Sequence, residues 1–273
     1  MILHRGQIMQ HIISLLTDFG LTDSYVSEMK ATILAICPTA VIVDITHLVD
    51  KFDVRAGAFL LAEAAPSFPK GTIHLAIIDP GVGSERRPIL IETRRSLFIG
   101  PDNGLLMPAA INEGLLHVYQ LTNTAMMRGQ ISSTFHGRDI FAPVAAHLAS
   151  GASLVECGPE ITDYSKSRCA QPVRKGSGVT VEVIHIDSFG NVISNLSTND
   201  ALKPEFRHGK KISLLVGRHR ISAIFVKTYS DLKPNQLGAL IGSHGFLELA
   251  CRESSAAKRI RARKGSLVRV YGV

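Results

Sequence analysis

The sequence places a carboxylate and guanidinium groups directly after a short apolar segment. In HLAIIDPGVGSER (74–86), Asp79 ends an apolar run, and Arg86 follows in the same glycine-containing loop with Arg87 beside it. Ligands of open α/β sheets bind beyond the carboxyl ends of the strands, so we expect chemistry at this loop. The alternative is an ordinary β-turn that carries a solvent-exposed ion pair.

Other loops in the N-terminal half carry similar side chains. Asp18, the pair Asp102 and Asn103, and His136 all lie next to apolar segments. If these loops converge at one sheet edge, the acids and the histidine, together with Asp79, could bind Mg²⁺ or Zn²⁺. They could equally form an acid–base set around a bound water molecule. The sequence lacks the Rossmann, P-loop, zincin and nucleophile-elbow motifs, which argues against those functions.

The C-terminal half carries a comparable loop after the strand-like run 179–186. It contains Asp187, Phe189 and Asn191. The aspartate and the asparagine could hydrogen-bond a ribose or a purine edge while the phenylalanine stacks on a ring. A plain strand-ending turn, which Asp, Gly and Asn also favour, is the alternative.

Alternating strand and helix patterns position the N-terminal loops. Apolar runs predict strands at 11–16, 40–45, 72–78, 88–92, 97–99 and 116–121, and helical spacing predicts helices at 22–37, 54–65, 104–112 and 140–148. The expected helix caps are Thr22 or Asp23, Asp53 and Asp139. Continuous apolar strands that alternate with helices predict an α/β fold, with a mostly parallel sheet and helices on both faces.

The character of the chain changes after the N-terminal half. We predict an N-terminal α/β domain at 11–160, a polar linker at 161–177 and a smaller C-terminal β domain at 178–273. Short strand-like runs beyond the linker predict a mainly antiparallel barrel or sandwich. Residues 1–10 are expected to form an extension before the first strand.

The composition is typical of a globular protein. Hydrophobic residues make up 45% of the 273 residues, and no apolar run approaches the ~18 residues of a membrane span. The N-terminus lacks the apolar stretch of a secretory signal, and the four cysteines have no metal-ligand spacing, so we expect reduced thiols in the cytoplasm. The net charge of +7 lies partly in 258–264, but the scarcity of aromatic residues argues against nucleic-acid binding.

Long segments, in order along residues 11–273, resemble one enzyme family. These are the S-adenosyl-L-methionine (SAM) hydroxide adenosyltransferases, which hydrolyse SAM to adenosine and methionine and are related to the fluorinase and the chlorinase. The segments are LLTDFG (15–20), VDITH (43–47), FDVRAGAFLLAEA (52–64), FPKGTIHLAIIDPGVGSERRPI (68–89), GPDNGLL (100–106), STFHGRDIFAPVAAHLA (133–149), IDSFGNVISNL (186–196) and IGSHGFLEL (241–249).

The resemblance implies an α/β domain followed by a β domain, with SAM as substrate, adenosine as product and no cofactor or metal. It also implies a homotrimer whose sites lie between the N-terminal domain of one subunit and the C-terminal domain of the next. By motif, the family's catalytic triad falls on Asp79, Arg86 and His136. The halogenating relatives lack this aspartate, so Asp79 indicates hydroxide rather than halide as the nucleophile.

The same matching assigns substrate contacts. Asp18 would hold the ribose hydroxyls, Phe52 would pack on the nucleoside, and Asp187 would contact the methionine amine. Phe189 would pack near the adenine, Asn191 would hydrogen-bond to it, and Ser243 would contact the methionine end. His244 stands where the halogenating relatives have arginine. The implied chemistry is attack of hydroxide at C5′ with loss of methionine from the sulfonium, which a dry site favours.

In this chemistry we expect His136 and Asp79 to orient and deprotonate the water, and Arg86 to stabilise the negative charge. Three alternatives stay open at this point. One is a halide-using 5′-halo-adenosine synthase, against which Asp79 argues. A second is a metal-dependent hydrolase built on Asp18, Asp79, Asp102 and His136. A third is a SAM- or adenosine-binding protein with little turnover, whose basic C-terminus could contact RNA.

Overall fold

The chain forms two compact units, Met1–Arg168 and Cys169–Val273. Each unit has its own hydrophobic core. The boundary between them falls inside the segment that was predicted as the linker, 161–177. The computed structural model describes residues 11–166, 170–198 and 207–272.

The described part of the N-terminal unit contains six strands, four α-helices and short 3-10 turns. The strands are β1 (Ile12–Thr17), β2 (Val41–Thr46), β3 (Ile73–Ile77), β4 (Pro88–Thr93), β5 (Leu97–Pro101) and β6 (Leu115–Gln120). The helices are α1 (Tyr25–Ile36), α2 (Val54–Ala64), α3 (Met107–Asn112) and α4 (Ala142–Ala149), the last preceded by a π-helical turn, Gly137–Phe141.

The six strands form one sheet in the order β2-β1-β3-β5-β4-β6. The first four of these run parallel to one another, whereas β4 is antiparallel to β5 and to β6. The short connection at 94–96 explains why β5 is antiparallel to β4, because parallel strands need a much longer crossover. The prediction of an α/β fold with a mostly parallel sheet is confirmed.

Helices cover both faces of this sheet. Leu15 packs with α1 and α4 in one core and Leu16 packs with α2 and α3 in another, because successive side chains of a strand point to opposite faces. All of β3 is buried, as is typical of a central parallel strand. β1 and β3 are adjacent, so the loops that follow them, with Asp18 and Asp79, emerge side by side.

The C-terminal unit is a closed barrel, the first of the two predicted alternatives. Its strands are β7 (Val173–Lys175), β8 (Gly178–Ile186), β9 (Val192–Ser197), β10 (Lys211–Val216), β11 (His219–Phe225), β12 (Leu237–Ile241), β13 (Phe246–Cys251) and β14 (Leu267–Gly272). Pairing of β14 with β8 closes seven strands into a ring, and β7 adds to β8 outside it. Among the described strands of this unit, only the β11–β12 pair is parallel. Helix α5 (Ala256–Ile260) packs on the barrel core.

The cysteines within the described residues are free thiols. Cys37, Cys157 and Cys251 are all buried, whereas Cys169 and the extension predicted at 1–10 lie outside the described residues. None of the helices in that part of the chain combines the length and the apolarity that crossing a bilayer requires.

The predicted helix caps differ in their outcomes. Asp53 caps α2 as predicted, because its carboxylate accepts the Ala56 N–H at 2.9 Å. The cap of α1 was wrongly placed at Thr22 or Asp23. That helix begins after Ser24, whose hydroxyl donates to a side chain of the first turn rather than capping the backbone.

Asp139 was predicted to cap the helix that follows it, and this is wrong. It lies within the π-helical turn, and its carboxylate accepts the backbone N–H of Ser132 instead. The side chain of Arg138 pairs with the same carboxylate. A buried ion pair therefore takes the oxygen atoms that a cap would use.

A buried histidine in β3 predicts a loss of stability in acid. His74 is 0% exposed, accepts or donates a hydrogen bond with Ser14 at 2.6 Å and stacks on Phe98. Burial lowers the pKa of His74 from 6.5 to about 4. The unfolded chain therefore binds a proton that the folded chain does not bind between these two pH values. Stability is full above the unfolded pKa and falls with pH, by about 3 kcal/mol at the folded pKa.

We expect the free energy of unfolding in urea to fall less between about pH 7.5 and pH 4.5 for His74→Gln than for the wild type. The matched control is His117→Gln, because Glu160 raises the pKa of the exposed His117. His117→Gln should therefore not reduce the decrease in the free energy of unfolding at acid pH. An equal acid loss in wild type and His74→Gln would remove His74 as the cause.

Candidate active site

A buried ion pair organises the loop after β3. Arg86 donates from Nε to Asp79 Oδ1 at 3.1 Å and from Nη2 to Asp79 Oδ2. The two side chains are only 7% and 5% exposed. A bidentate guanidinium–carboxylate pair has a fixed geometry. The alternative of a solvent-exposed ion pair in a plain turn is therefore wrong.

His136 completes this cluster from the segment before α4. Its Nδ1 lies 3.0 Å from Arg86 Nη2. A guanidinium can only donate, so Nδ1 accepts, and the neutral imidazole carries its proton on Nε2. Burial, followed by the positive charge of Arg86, lowers the pKa of His136. The ring is therefore neutral at pH 7, with an N–H that is free to donate.

A glycine allows the two loops of this cluster to approach each other. Gly83 has φ +78°, and a Cβ at this position would lie 2.4 Å from the carbonyl oxygen of Ser133. No side chain fits between the DPGVG loop and the segment that carries His136. The glycine at position 83 thus permits the loops that carry Asp79 and His136 to approach each other closely.

We predict that Gly83→Ala disrupts this contact. The left-handed backbone alone costs a non-glycine residue about 1–2 kcal/mol, and the steric overlap adds to it. Gly71→Ala is the matched control, because Gly71 has φ +88° but open space around its Cβ position. In urea unfolding, Gly83→Ala should lose clearly more free energy than Gly71→Ala. Equal losses would show that the close approach to Ser133 is unimportant.

Asp18, in the loop after β1, binds the backbone of Phe52, an aromatic residue whose backbone conformation is strained. Asp18 Oδ2 accepts the N–H of Phe52 at 2.8 Å, and Lys51 Nζ donates to the Asp18 carbonyl. Phe52 has φ +65° and a side chain that is largely exposed. A bulky residue in this region is strained, and such strain clusters at ligand sites. The contacts from Asp18 keep the Phe52 ring presented outward.

These loops surround one cavity of about 480 Å³. Among the residues predicted for the site, its lining includes Asp18, Phe52, Asp79 and His136 but not Arg86, which lies behind the carboxylate and the imidazole. The other lining residues are Phe19, Asp23, Tyr25, Lys51, Ile77, Val82, Thr134, Phe135 and Gly137.

The C-terminal unit has a separate cavity of about 520 Å³. Asp187 Oδ1 accepts the N–H groups of Phe189 and Asn191, and its Oδ2 accepts from Asn191 Nδ2 at 2.9 Å. These three residues line the cavity together, and the Phe189 ring is 80% exposed. Ser243 lies in the exposed β12–β13 turn and is not part of this lining.

Sequence reasoning missed several lining residues. Asp23 follows Asp18 in the same loop, Tyr25 begins helix α1 directly after it, and Lys51 precedes Phe52, so proximity to motif residues was a usable signal. The C-terminal lining also includes Tyr229 and residues 251–255. No local pattern marks these positions, because only the pairing of β13 with β9 brings them to Asp187.

The arrangement does not support the metal-dependent alternative. The carboxylate of Asp102 accepts from Arg87 and from the Ser165 N–H, away from the cavity lining. Asn103 bonds to the backbone carbonyl of Ile78. Within residues 11–166, 170–198 and 207–272 no group of three or more His, Cys, Asp or Glu side chains is placed to hold a metal ion.

Comparison with known proteins places this geometry in context. The SAM hydroxide adenosyltransferase N-terminal domain model matches residues 13–158, and the C-terminal domain model matches residues 181–269. A protein of Salinispora tropica named (R)-S-adenosyl-L-methionine hydrolase is 40% identical over 94% of this chain and 97% of its own length. A protein of Actinoplanes named fluorinase is 28% identical over 95% and 97% of the two chains. The crystal structure of an uncharacterized conserved protein from Thermotoga maritima superposes with a TM-score of 0.91 at 36% identity, covering 95% of this chain and 99% of that one.

Proposed function

The chain belongs to the SAM hydroxide adenosyltransferase family, and from this membership we propose that it hydrolyses (R)-SAM to adenosine and L-methionine. One observation carries the proposal, namely the Asp79–Arg86–His136 cluster at the wall of a cavity that also contains Asp18. A carboxylate at this wall accepts the hydrogens of water and repels a halide ion. Water is therefore the nucleophile.

The two cavity-lining members of the cluster bind the water from opposite sides. Asp79 retains a free lone pair on each oxygen beyond those used by Arg86, and it accepts a hydrogen of the water. His136 donates its Nε2–H to the water oxygen, since its Nδ1 is occupied by Arg86. His136 therefore orients the water, and acceptance of the proton falls to Asp79 alone. We therefore assign deprotonation of the water to Asp79 only, whereas the sequence-based prediction assigned it to both Asp79 and His136.

The reaction is a displacement at C5′ of the ribose. The water oxygen forms a bond to C5′ while the bond from C5′ to the sulfonium sulfur breaks, and methionine leaves with that electron pair. The proton of the water passes to the Asp79 carboxylate and then to solvent. Arg86 pairs with the carboxylate, so it keeps Asp79 oriented and offsets the cost of burying its negative charge. Asp18 holds the ribose hydroxyls, and Phe52 packs on the nucleoside.

We propose that the rest of the substrate is held by a second subunit in a homotrimer. The loops after β1 and β2, which contribute to the N-terminal cavity, carry exposed apolar side chains, among them Leu21, Leu48 and Phe52. Such a patch is typical of a surface that another chain covers. The C-terminal loop with Asp187, Phe189 and Asn191 would supply the contacts to adenine and to the methionine amine, with Ser243 at the methionine end.

The cytoplasm is the proposed location of this enzyme. The buried thiols of Cys37, Cys157 and Cys251 are unpaired, as is usual in a reducing compartment. Measuring the accessibility of the protein to a membrane-impermeant label in intact cells tests this. Labelling of the protein in intact cells would overturn the proposal.

The proposed activity is tested by product analysis with labelled water. Purified protein is incubated with SAM in chloride-free buffer made with H₂¹⁸O, and again with added chloride, and the nucleosides are separated by chromatography. We expect adenosine with ¹⁸O at its 5′ position in both reactions, and equal amounts of methionine. A halogenated nucleoside, or intact SAM, would overturn the proposal. Activity that persists after exhaustive chelation would dispose of the metal-dependent alternative.

A further inference from the structure

A completely buried carboxylate lies just after His136. Asp139 has a side chain that is 0% exposed, within the π-helical turn Gly137–Phe141. Burial opposes its ionisation, but hydrogen bonds from Arg138 and from the Ser132 N–H outweigh that effect and lower the pKa of Asp139. It is therefore charged at pH 7. Neither the proposed mechanism nor the substrate contacts use this charge.

Asp139 makes a hydrogen bond to the first residue of the segment that carries His136 and another within that segment. Its Oδ2 accepts the Ser132 N–H at 2.9 Å, while its own N–H donates to the Phe135 carbonyl at 3.2 Å. The chain from 132 to 139 thus closes on itself with His136 inside the closed stretch. π-Helical turns of this kind frequently occur at functional sites.

Arg138 extends this anchoring to helix α1. Its Nε and Nη2 bind the Asp139 carboxylate at 2.7 and 3.0 Å, and its Nη1 donates to Glu28 Oε2 at 2.9 Å. The guanidinium also lies over the Phe135 ring, 4.9 Å from its centroid. Phe135 in turn packs edge-on against Tyr25, so one ion-pair network stabilises two walls of the cavity.

We propose that Asp139 is a positioning residue, which acts through His136 by holding Nδ1 within hydrogen-bond reach of Arg86. A buried charge is costly to keep unless several donors satisfy it, and here the donors are the Ser132 N–H, the Arg138 guanidinium and, at 3.4 Å, Arg128 Nη1. Without Asp139, the imidazole loses its fixed distance to Arg86 and exchanges its proton between the two ring nitrogens. This inference rests on the proposed function for its kinetic consequence but not for its structural one.

The test compares Asp139→Asn with wild type in two measurements. In ¹⁵N-histidine-labelled protein at about pH 8, His136 should give the signature of a single Nε2–H tautomer in wild type and of averaged tautomers in Asp139→Asn. His136→Gln assigns the signal. We also expect kcat for SAM hydrolysis, normalised to the folded fraction from circular dichroism, to fall by about 10- to 100-fold, because small displacements of a reacting group cost this much.

Asp102→Asn is the matched control, because Asp102 is also a buried acid that binds an arginine and a backbone N–H but lies outside the cavity lining. It should leave the His136 tautomer and the normalised kcat unchanged. If Asp139→Asn does not fold, Glu28→Gln replaces it as the test variant, because it removes the hydrogen bond at the outer end of the network. The changes in the His136 tautomer and in the normalised kcat are then expected to be in the same direction but smaller. A single tautomer and a wild-type normalised kcat in the foldable variant would overturn the inference. If wild type does not hydrolyse SAM, the tautomer measurement still decides it.

Discussion

Asp79→Asn is expected to lower kcat for SAM hydrolysis by about 10²- to 10⁴-fold, the range that a general base contributes. The amide has nearly the same shape as the carboxylate but cannot take a proton from water. It also has only one oxygen to accept from Arg86, so its NH₂ group faces a donor. We expect SAM binding to change little, because the proposed nucleoside contacts, Asp18 and Phe52, lie in other loops.

The measurement is the initial rate of adenosine formation at saturating SAM in chloride-free buffer, with binding of SAM followed by calorimetry. Asp102→Asn again serves as the control for replacing a buried acid that is paired with arginine. Its rate per folded protein should stay close to that of wild type, because Asp102 lies outside the cavity lining. Wild-type turnover by Asp79→Asn would exclude Asp79 as the proton acceptor.

Arg86→Met is expected to cost both activity and stability. It leaves the Asp79 carboxylate buried and unpaired, and it removes the donor that sets the His136 tautomer. Breaking a buried ion pair from one side typically costs about 3–5 kcal/mol. We therefore expect a loss of this size in urea unfolding at about pH 7.5, together with a rate that falls at least as far as in Asp79→Asn.

A double variant separates the two effects of this substitution. In Asp79→Asn/Arg86→Met neither member of this buried pair is charged, so part of the lost stability should return while activity does not. Lys30→Met is the control, because Lys30 pairs with Asp44 at 2.7 Å and both side chains are partly exposed; it should cost less than about 1 kcal/mol. If the double variant is no more stable than Arg86→Met, the charge left on Asp79 is not what destabilises the single variant.

Much of the fold could be predicted because its causes are local. The apolar run of β3 stops at Asp79-Pro80, and proline with the glycines after it cannot continue a strand. Asp53 was identified as a helix cap for a similar reason, since the cap and the amide that it binds are three residues apart. The order of long family motifs then identified the residues of the candidate triad.

Other assignments failed because three buried aspartates look alike in sequence. Asp79, Asp102 and Asp139 each lie beside an apolar segment. Asp79 pairs with Arg86 at the cavity, whereas Asp102 pairs with Arg87 and Ser165, and Asp139 with Arg138 and Ser132. Whether such a carboxylate lines the cavity or forms a structural ion pair depends on which hydrogen-bond donor the fold places beside it.

By itself the sequence therefore determined the strand ends, the two-part organisation and the kinds of side chain at each loop, because these depend on apolar runs, turn residues and motif order. Only the tertiary structure decided that Asp79 and His136 line the cavity with Arg86 behind them, that Nε2 of His136 carries the proton, and that Gly83 permits the close approach of their loops. The physical reason is that hydrogen bonds between groups such as Arg86 and His136, 50 residues apart, depend on distances and angles that no local pattern contains.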